Sequence, residues 1–185
     1  AQTLSFSLGA GAPSGASITS GGFFSWTPTE AQGPGSYVIR IIVSDGLLED
    51  YEDVTVTVYE VNQPPVLDPI GPKSVIEGTT LSFTATATDP DIPAQTLIFS
   101  LGAGAPTGAS ITSGGVFSWT PTEAQGPGSY VIRIIVSDGI AQDYEDITVT
   151  VYEVNQPPVL NPIGPKTVSE GALLQFTVTA SDPDI

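Results

Sequence analysis

Histidine, cysteine and methionine are absent from the 185-residue sequence, and only 4 lysines and arginines stand against 20 aspartates and glutamates. Without His or Cys there is no neutral-pH proton shuttle, no thiolate nucleophile and no common zinc ligand; the metal ligands left are carboxylates and carbonyls, which suit a hard cation such as calcium. A net charge of −16 repels nucleic-acid phosphates and anionic lipid alike, so neither nucleic acid nor membrane insertion is expected. No apolar run approaches the ~20 residues that span a bilayer, and no basic start with an apolar segment behind it reads as a signal peptide. What is present is a 40% hydrophobic share with 20 Gly and 17 Pro, enough apolar material to build cores, so the acidity does not signify disorder.

Self-similarity dominates the rest. Ala1-Gln2-Thr3-Leu4 recurs as Ala94-Gln95-Thr96-Leu97, and the match continues without a gap to Ile92 against Ile185, at a period of 93 with 15 differences in 92 pairs. That period is too long for helical solenoid units of roughly 20–50 residues and suits one whole sandwich domain. Pro64-Pro65 and Pro157-Pro158 cannot continue a strand ladder and read as linkers. The expected organisation is an incomplete repeat at 1–63 (the C-terminal two-thirds of a sandwich domain), a complete sandwich domain at 64–156, and an incomplete repeat at 157–185 (the N-terminal third). Out-of-phase ends and the missing initiator Met read as a window on a longer covalent array. The competing expectation is that such fragments complete one another between molecules by strand addition, giving a head-to-tail fibre.

Within the complete repeat the hydrophobic period is two throughout. Leu81, Phe83, Ala85 and Ala87 alternate with polar residues, as do Leu97, Phe99 and Leu101. Tyr130, Ile132, Ile134 and Val136 form an inward row with Arg133 on the opposite face; Ile147, Val149 and Val151 form another. Phe117 and Trp119 share a face, and short strands are expected near Val75 and Ile111. About seven strands between Gly and Pro turns, with no helical periodicity, predict an all-β, seven-stranded Greek-key sandwich repeated in tandem. Trp119 is a core plug or, alternatively, a sugar-stacking platform.

Pro65-Val66-Leu67, Glu77-Gly78, Asp89-Pro90-Asp91, Phe117-Ser118-Trp119-Thr120-Pro121, Tyr130 to Asp138-Gly139 and Glu153-Val154-Asn155 span the whole period. In this set the chain resembles the cadherin-like and immunoglobulin-like (Ig-like) repeats of large bacterial surface and secreted proteins. The resemblance implies calcium at each joint between domains. At the first joint it implies Glu30, Glu60, Asn62, Asp89, Asp91 and Asp138 as ligands; at the second, Glu77, Glu123, Gln125, Glu153, Asn155, Asp182 and Asp184. Gln63 and Pro64 replace an Asp and an Asn of the family linker and weaken the pattern. Charge supports the same conclusion independently: Glu30, Glu60, Asp89, Asp91 and Asp138 gathered at one joint would repel by ~1 kcal/mol per close exposed pair unless a cation sat among them. With acids lost relative to the family, one or two ions per joint are expected.

Plainer readings stand beside these. Asp138-Gly139 is a turn signal, Asp89-Pro90-Asp91 can be a solvated loop, and Asp143, Glu145 and Asp146 read as a solvated acidic edge. The expected function is a structural module of an extracellular or cell-surface stalk, filament or adhesin in a bacterium. Its expected partners are neighbouring copies of the same repeat, joined covalently or by strand complementation. The alternative is a carbohydrate-binding or cell-adhesion module using Tyr37, Tyr51 and their copies. No enzymatic activity is expected, since Asp89 and Asp91 at an exposed strand end are poorly placed to bracket a glycosidic bond.

Overall fold

The computed structural model describes residues 2–184, and every regular element among them is a strand or a single 3₁₀ turn. Contacts divide the chain into two compact units, Ala1–Pro64 with Asp89–Gln95, and Pro65–Thr88 with Thr96–Ile185.

In the first unit β1 (Ser5–Leu8), β4 (Gly35–Ser44) and β5 (Glu49–Val58) form an antiparallel sheet, while β2 (Ser17–Ile18) pairs with β3 (Phe24–Ser25). In the second, β6 (Val66–Leu67), β7 (Lys73–Ile76), β8 (Leu81–Thr84) and β9 (Ala87–Thr88) precede β10 (Ile98–Leu101), β11 (Ser110–Ile111) and β12 (Val116–Trp119). The hairpin β13 (Gly128–Ser137) and β14 (Gln142–Tyr152) follows. One sheet runs β10-β13-β14-β7, with β7 joining β14 in parallel; the other runs β11-β12-β8, and β6 pairs with β9. This is the all-β sandwich that the two-residue periodicity predicts. The inward rows of β13 and β14, Ile132, Ile134, Val136, Ile147, Val149 and Val151, are all at most 1% exposed. They meet Phe117 and Trp119 of the facing sheet within one core.

Trp119 is 1% exposed, lies edge-on to Tyr130 with centroids 5.0 Å apart, and donates its indole N–H to the Thr107 carbonyl. A ring so enclosed has no free face for a sugar; Trp119 is core. Two further expectations need correction. The run Leu81–Thr88 is not one strand: β8 pairs with β12, β9 pairs with β6, and between them the Ala85 N–H bonds to the Gly115 carbonyl at 2.9 Å. Gly115 sits at φ +90°, and a Cβ there would overlap the Ala85 carbonyl, so this crossing depends on glycine. Nor are Asp143 and Glu145 merely a solvated edge. Asp143 accepts the Leu67 N–H, and Glu145 accepts those of Ile70 and Gly71, which fastens the β6–β7 segment to β14. Asp146 pairs with Arg133 at 2.7 Å across the hairpin, and this guanidinium lies 4.0 Å over the Tyr144 ring.

Residues 157–184 contribute one short pair, β15 (Val159–Leu160) with β16 (Ala180–Ser181), and are exposed almost throughout. No helix among the described residues is long and apolar enough to cross a membrane.

Candidate metal centres

Two 3₁₀ turns that periodicity gives no hint of, Glu30–Gln32 and Glu123–Gln125, each place one glutamate. Their sequence explains them. In Thr-Glu-Ala-Gln, the Gln32 amide oxygen takes the Thr29 N–H at 2.9 Å while the Gln32 N–H returns to the Thr29 carbonyl, and the Gln32 NH₂ donates to Ser14. Gln125 repeats this with Thr122 and Thr107, so its side chain closes the turn.

In the first unit one oxygen from each of Glu30, Glu60 and Asp91 lies within 4.8 Å of the others. Glu60 arrives just past the end of β5. Asp91 is held by its own loop, where the Asp89 Oδ1 takes the Asp91 N–H at 2.9 Å, a local aspartate turn that points the Asp91 carboxylate inward at 3% exposure. The Gln63 N–H donates to both Asp91 oxygens at 3.1 and 3.2 Å, and its side-chain NH₂ donates to Glu30 at 3.0 Å. Gln63 is therefore a donor that holds two acids in place, a role hidden from a reading of it as a degraded ligand. Glu30 also takes the Ile92 N–H at 3.2 Å. Among the described residues no donor reaches the buried oxygens Glu60 Oε1 and Asp89 Oδ2. Burial first, then the charges of Glu30 and Asp91, push the Glu60 carboxyl above its ordinary value.

The second unit carries the counterpart, Glu77, Glu123 and Glu153, again within 4.8 Å. Glu77 is 6% exposed; its Oε1 accepts the Val154 N–H, and its Oε2 has no donor. Glu123 accepts the Gln156 side chain at 2.7 Å through one oxygen and nothing through the other, while both oxygens of Glu153 lack donors. Burial, followed by Glu77, Glu123 and Asp184, raises Glu153 from 4.5 to about 7. Glu77 can satisfy Glu153 only when one of the two carries a proton, so with both ionised the pair is left facing like charge.

The other expected ligands lie around these triads or away from them. Asn62 accepts from Gln95 at 2.8 Å and, like Asn155, donates to the next backbone carbonyl. Asp182 takes the Asp184 N–H, and Asp184 takes the Gln156 N–H at 2.9 Å, repeating the Asp89–Asp91–Gln63 pattern. Asp138 closes the β13–β14 turn, its carboxylate accepting from Ile140 and Ala141, and belongs to neither triad. No Lys or Arg among the described residues is engaged with either triad: Arg40 and Arg133 pair with Asp53 and Asp146, and Lys73 and Lys166 donate to the carbonyls of Ile70 and Ile163.

Residues 64–152 match the family model described as "Putative Ig domain". Chitinase A of Pseudoalteromonas piscicida is 30% identical over 125 residues, covering 66% of this chain and only 15% of the chitinase. Among solved structures, mouse cadherin-23 EC22-24 aligns over 82% of this chain and 53% of its own, at 19% identity and a TM-score of 0.53. Human protocadherin-24 EC1-2 aligns over 84% and 83% respectively, at 16% identity and a TM-score of 0.55. At such identities the two cadherins establish the shared fold alone.

Proposed function

Starting from residues 64–152 as an Ig-like domain in a chain of cadherin-like fold, we propose that the protein is a non-catalytic structural repeat of a bacterial extracellular or cell-surface stalk or filament. In this reading calcium stiffens the passage from one repeat to the next, and the partners are neighbouring copies of the repeat in tandem. One observation carries the reading: buried carboxylate oxygens of Glu60, Glu77, Glu123 and Glu153 converge with no donor to satisfy them. A buried acceptor left unpaired is costly, and three acids within 4.8 Å compound that cost, whereas a hard divalent cation relieves both. Glu30, Glu60 and Asp91 would hold one ion, Glu77, Glu123 and Glu153 another. The ion would supply positive charge, and through it Asp91 would tie the loop after β9 to the end of β5.

Calorimetric titration with Ca²⁺ tests this. Two sites are expected, with Glu60→Gln removing one and Glu153→Gln the other; absence of heat at millimolar Ca²⁺ contradicts the proposal.

A second reading, carbohydrate binding, draws support from the likeness to a chitinase. Tyr51 and Tyr144 are exposed, but each has a guanidinium over one ring face, at 3.9 and 4.0 Å, so only the opposite face could stack on a sugar. Pelleting with insoluble chitin that is lost in Tyr51→Ala plus Tyr144→Ala would favour it.

A further inference from the structure

One glutamine reaches two acids in each unit. In the second, the Gln156 backbone N–H meets both oxygens of Asp184 at 2.9 Å, and its side-chain NH₂ donates to Glu123 Oε2 at 2.7 Å. In the first, Gln63 meets Asp91 at 3.1 and 3.2 Å and Glu30 at 3.0 Å in the same way. Each glutamine stands directly before a proline, Pro64 or Pro157, which confines its backbone to extended conformations and so presets the direction of its N–H.

These bonds sort the oxygens of the second triad. The Glu123 oxygen that Gln156 bonds is satisfied, while the other, Oε1, is buried and has no donor among the described residues. Glu77, 6% exposed, shows the same division: Oε1 takes the Val154 N–H, and nothing among the described residues donates to Oε2. Both oxygens of Glu153 are bare, and one oxygen of each of the three acids lies within 4.8 Å of the others. A buried glutamate with one oxygen anchored and the other bare is a ligand already placed.

What an amide contributes here differs from what a charged side chain would. A lysine would hold Glu123 and cancel the charge that attracts a cation; a glutamate would set a like charge against it. The amide N–H holds the carboxylate and leaves its charge in place. Placement in advance favours one ion over another. Calcium takes six to eight oxygens directly, at about 2.3–2.6 Å and in irregular geometry, whereas magnesium demands a near-ideal octahedron, keeps several waters and is met by one or two carboxylates. Three carboxylates fixed at short range therefore serve calcium, and magnesium gains little from them.

We propose that Gln156 and Gln63 are positioning residues that set the preference of the two triads for calcium over magnesium, by fixing an acid of each through N–H groups that bring no charge. This rests on the calcium reading and adds to it the residue on which selectivity depends. It also reverses the sign expected of an impaired ligand: an acid in place of the glutamine should weaken calcium binding, not strengthen it.

Calorimetric titration of the 185-residue chain with Ca²⁺, alone and in excess Mg²⁺, decides this. Glu60→Gln serves as the parent so that the second unit's site is read alone, and Gln156→Leu or Gln156→Glu is added to it. Both substitutions retain the backbone N–H that meets Asp184 and fall on an exposed residue, and far-UV circular dichroism in chelator checks the fold. Loss of a partner that orients a metal ligand lowers affinity by roughly 10–100-fold. A fall in that range is expected in Gln156→Leu, and an equal or larger one in Gln156→Glu. The factor by which Mg²⁺ weakens apparent calcium binding reports magnesium affinity, and in Gln156→Leu it should stay close to that of the parent. Gln63→Leu in a Glu153→Gln parent should repeat the result in the first unit. Calcium affinity unchanged in Gln156→Leu, affinity equal to the parent's or higher in Gln156→Glu, or magnesium affinity that falls as far as calcium's overturns the inference and leaves the calcium reading standing. No calcium heat in the parent at millimolar Ca²⁺ overturns both.

Discussion

Trp119 and Trp26 occupy the same place in the repeat, yet only the former is fully enclosed. Trp119→Ala should therefore destabilise the second unit by about 3–5 kcal/mol in urea unfolding, and Trp26→Ala should cost clearly less. Glu153 makes a pH prediction. Its carboxyl is raised from 4.5 to about 7 in the ion-free protein, so the folded state binds the proton more tightly than the unfolded chain. That stabilisation is complete below about 4.5 and is lost as pH rises through about 7. In chelator the melting temperature should fall from acidic to mildly alkaline pH, and Glu153→Gln should flatten the fall. Calcium, which needs the ionised carboxylate, should reverse its sign. At this scale the sequence was informative about identity and poor about role. Glu30, Glu60 and Asp91 were named through the resemblance to cadherin-like repeats, which the crowding of like charge then supported. That Gln63 would donate to two of them, and that Gln125 would close a turn, depends on side-chain directions no linear pattern encodes.

Elements show the same division. The inward rows of β13 and β14 were legible because an alternation with two β-branched residues on the same face has one stable solution, burial of that face. The break between β8 and β9 was not, because it is imposed by Gly115, thirty positions from Ala85. The acids of β14 read as solvent-facing by alternation, and the structure instead uses Asp143 and Glu145 to receive the N–H groups of the β6–β7 segment. Asp143→Ala plus Glu145→Ala should thus cost about 1–3 kcal/mol in the midpoint of the second unit. The equivalent pair, Asp50→Ala plus Glu52→Ala, receives no such N–H groups among the described residues and should cost clearly less. Glycine matters once more at Gly126, where a Cβ would overlap the Glu77 carboxylate. Gly126→Ala should expel Glu77 from its triad and weaken ion binding in the second unit while leaving the first unit's site intact, which a calcium titration of the variant would register as one site lost.

For the molecule as a whole, a repeat with a net charge of −16 builds two acid triads that share two equivalent glutamates, Glu30 with Glu123 and Glu60 with Glu153, and leaves its few cations engaged elsewhere. Extracellular calcium modules bind with dissociation constants of roughly 10⁻⁴ to 10⁻³ M. One millimolar Ca²⁺ then adds about 0.4–1.4 kcal/mol per site, a modest gain in global stability. The sharper effect should be local, in the backbone groups that bond to the triads or to the acid beside them: Gln63 and Ile92 in the first unit, Val154 in the second, and Gln156, whose N–H meets Asp184. Hydrogen exchange of these four amides in chelator and in millimolar Ca²⁺ reads that effect directly. Slower exchange with calcium is predicted at all four, with core amides such as Ile132 and Val149 little changed, and Glu60→Gln plus Glu153→Gln should abolish the difference. Equal exchange under both conditions, or slowing that survives in that double variant, would contradict calcium stiffening at these carboxylates.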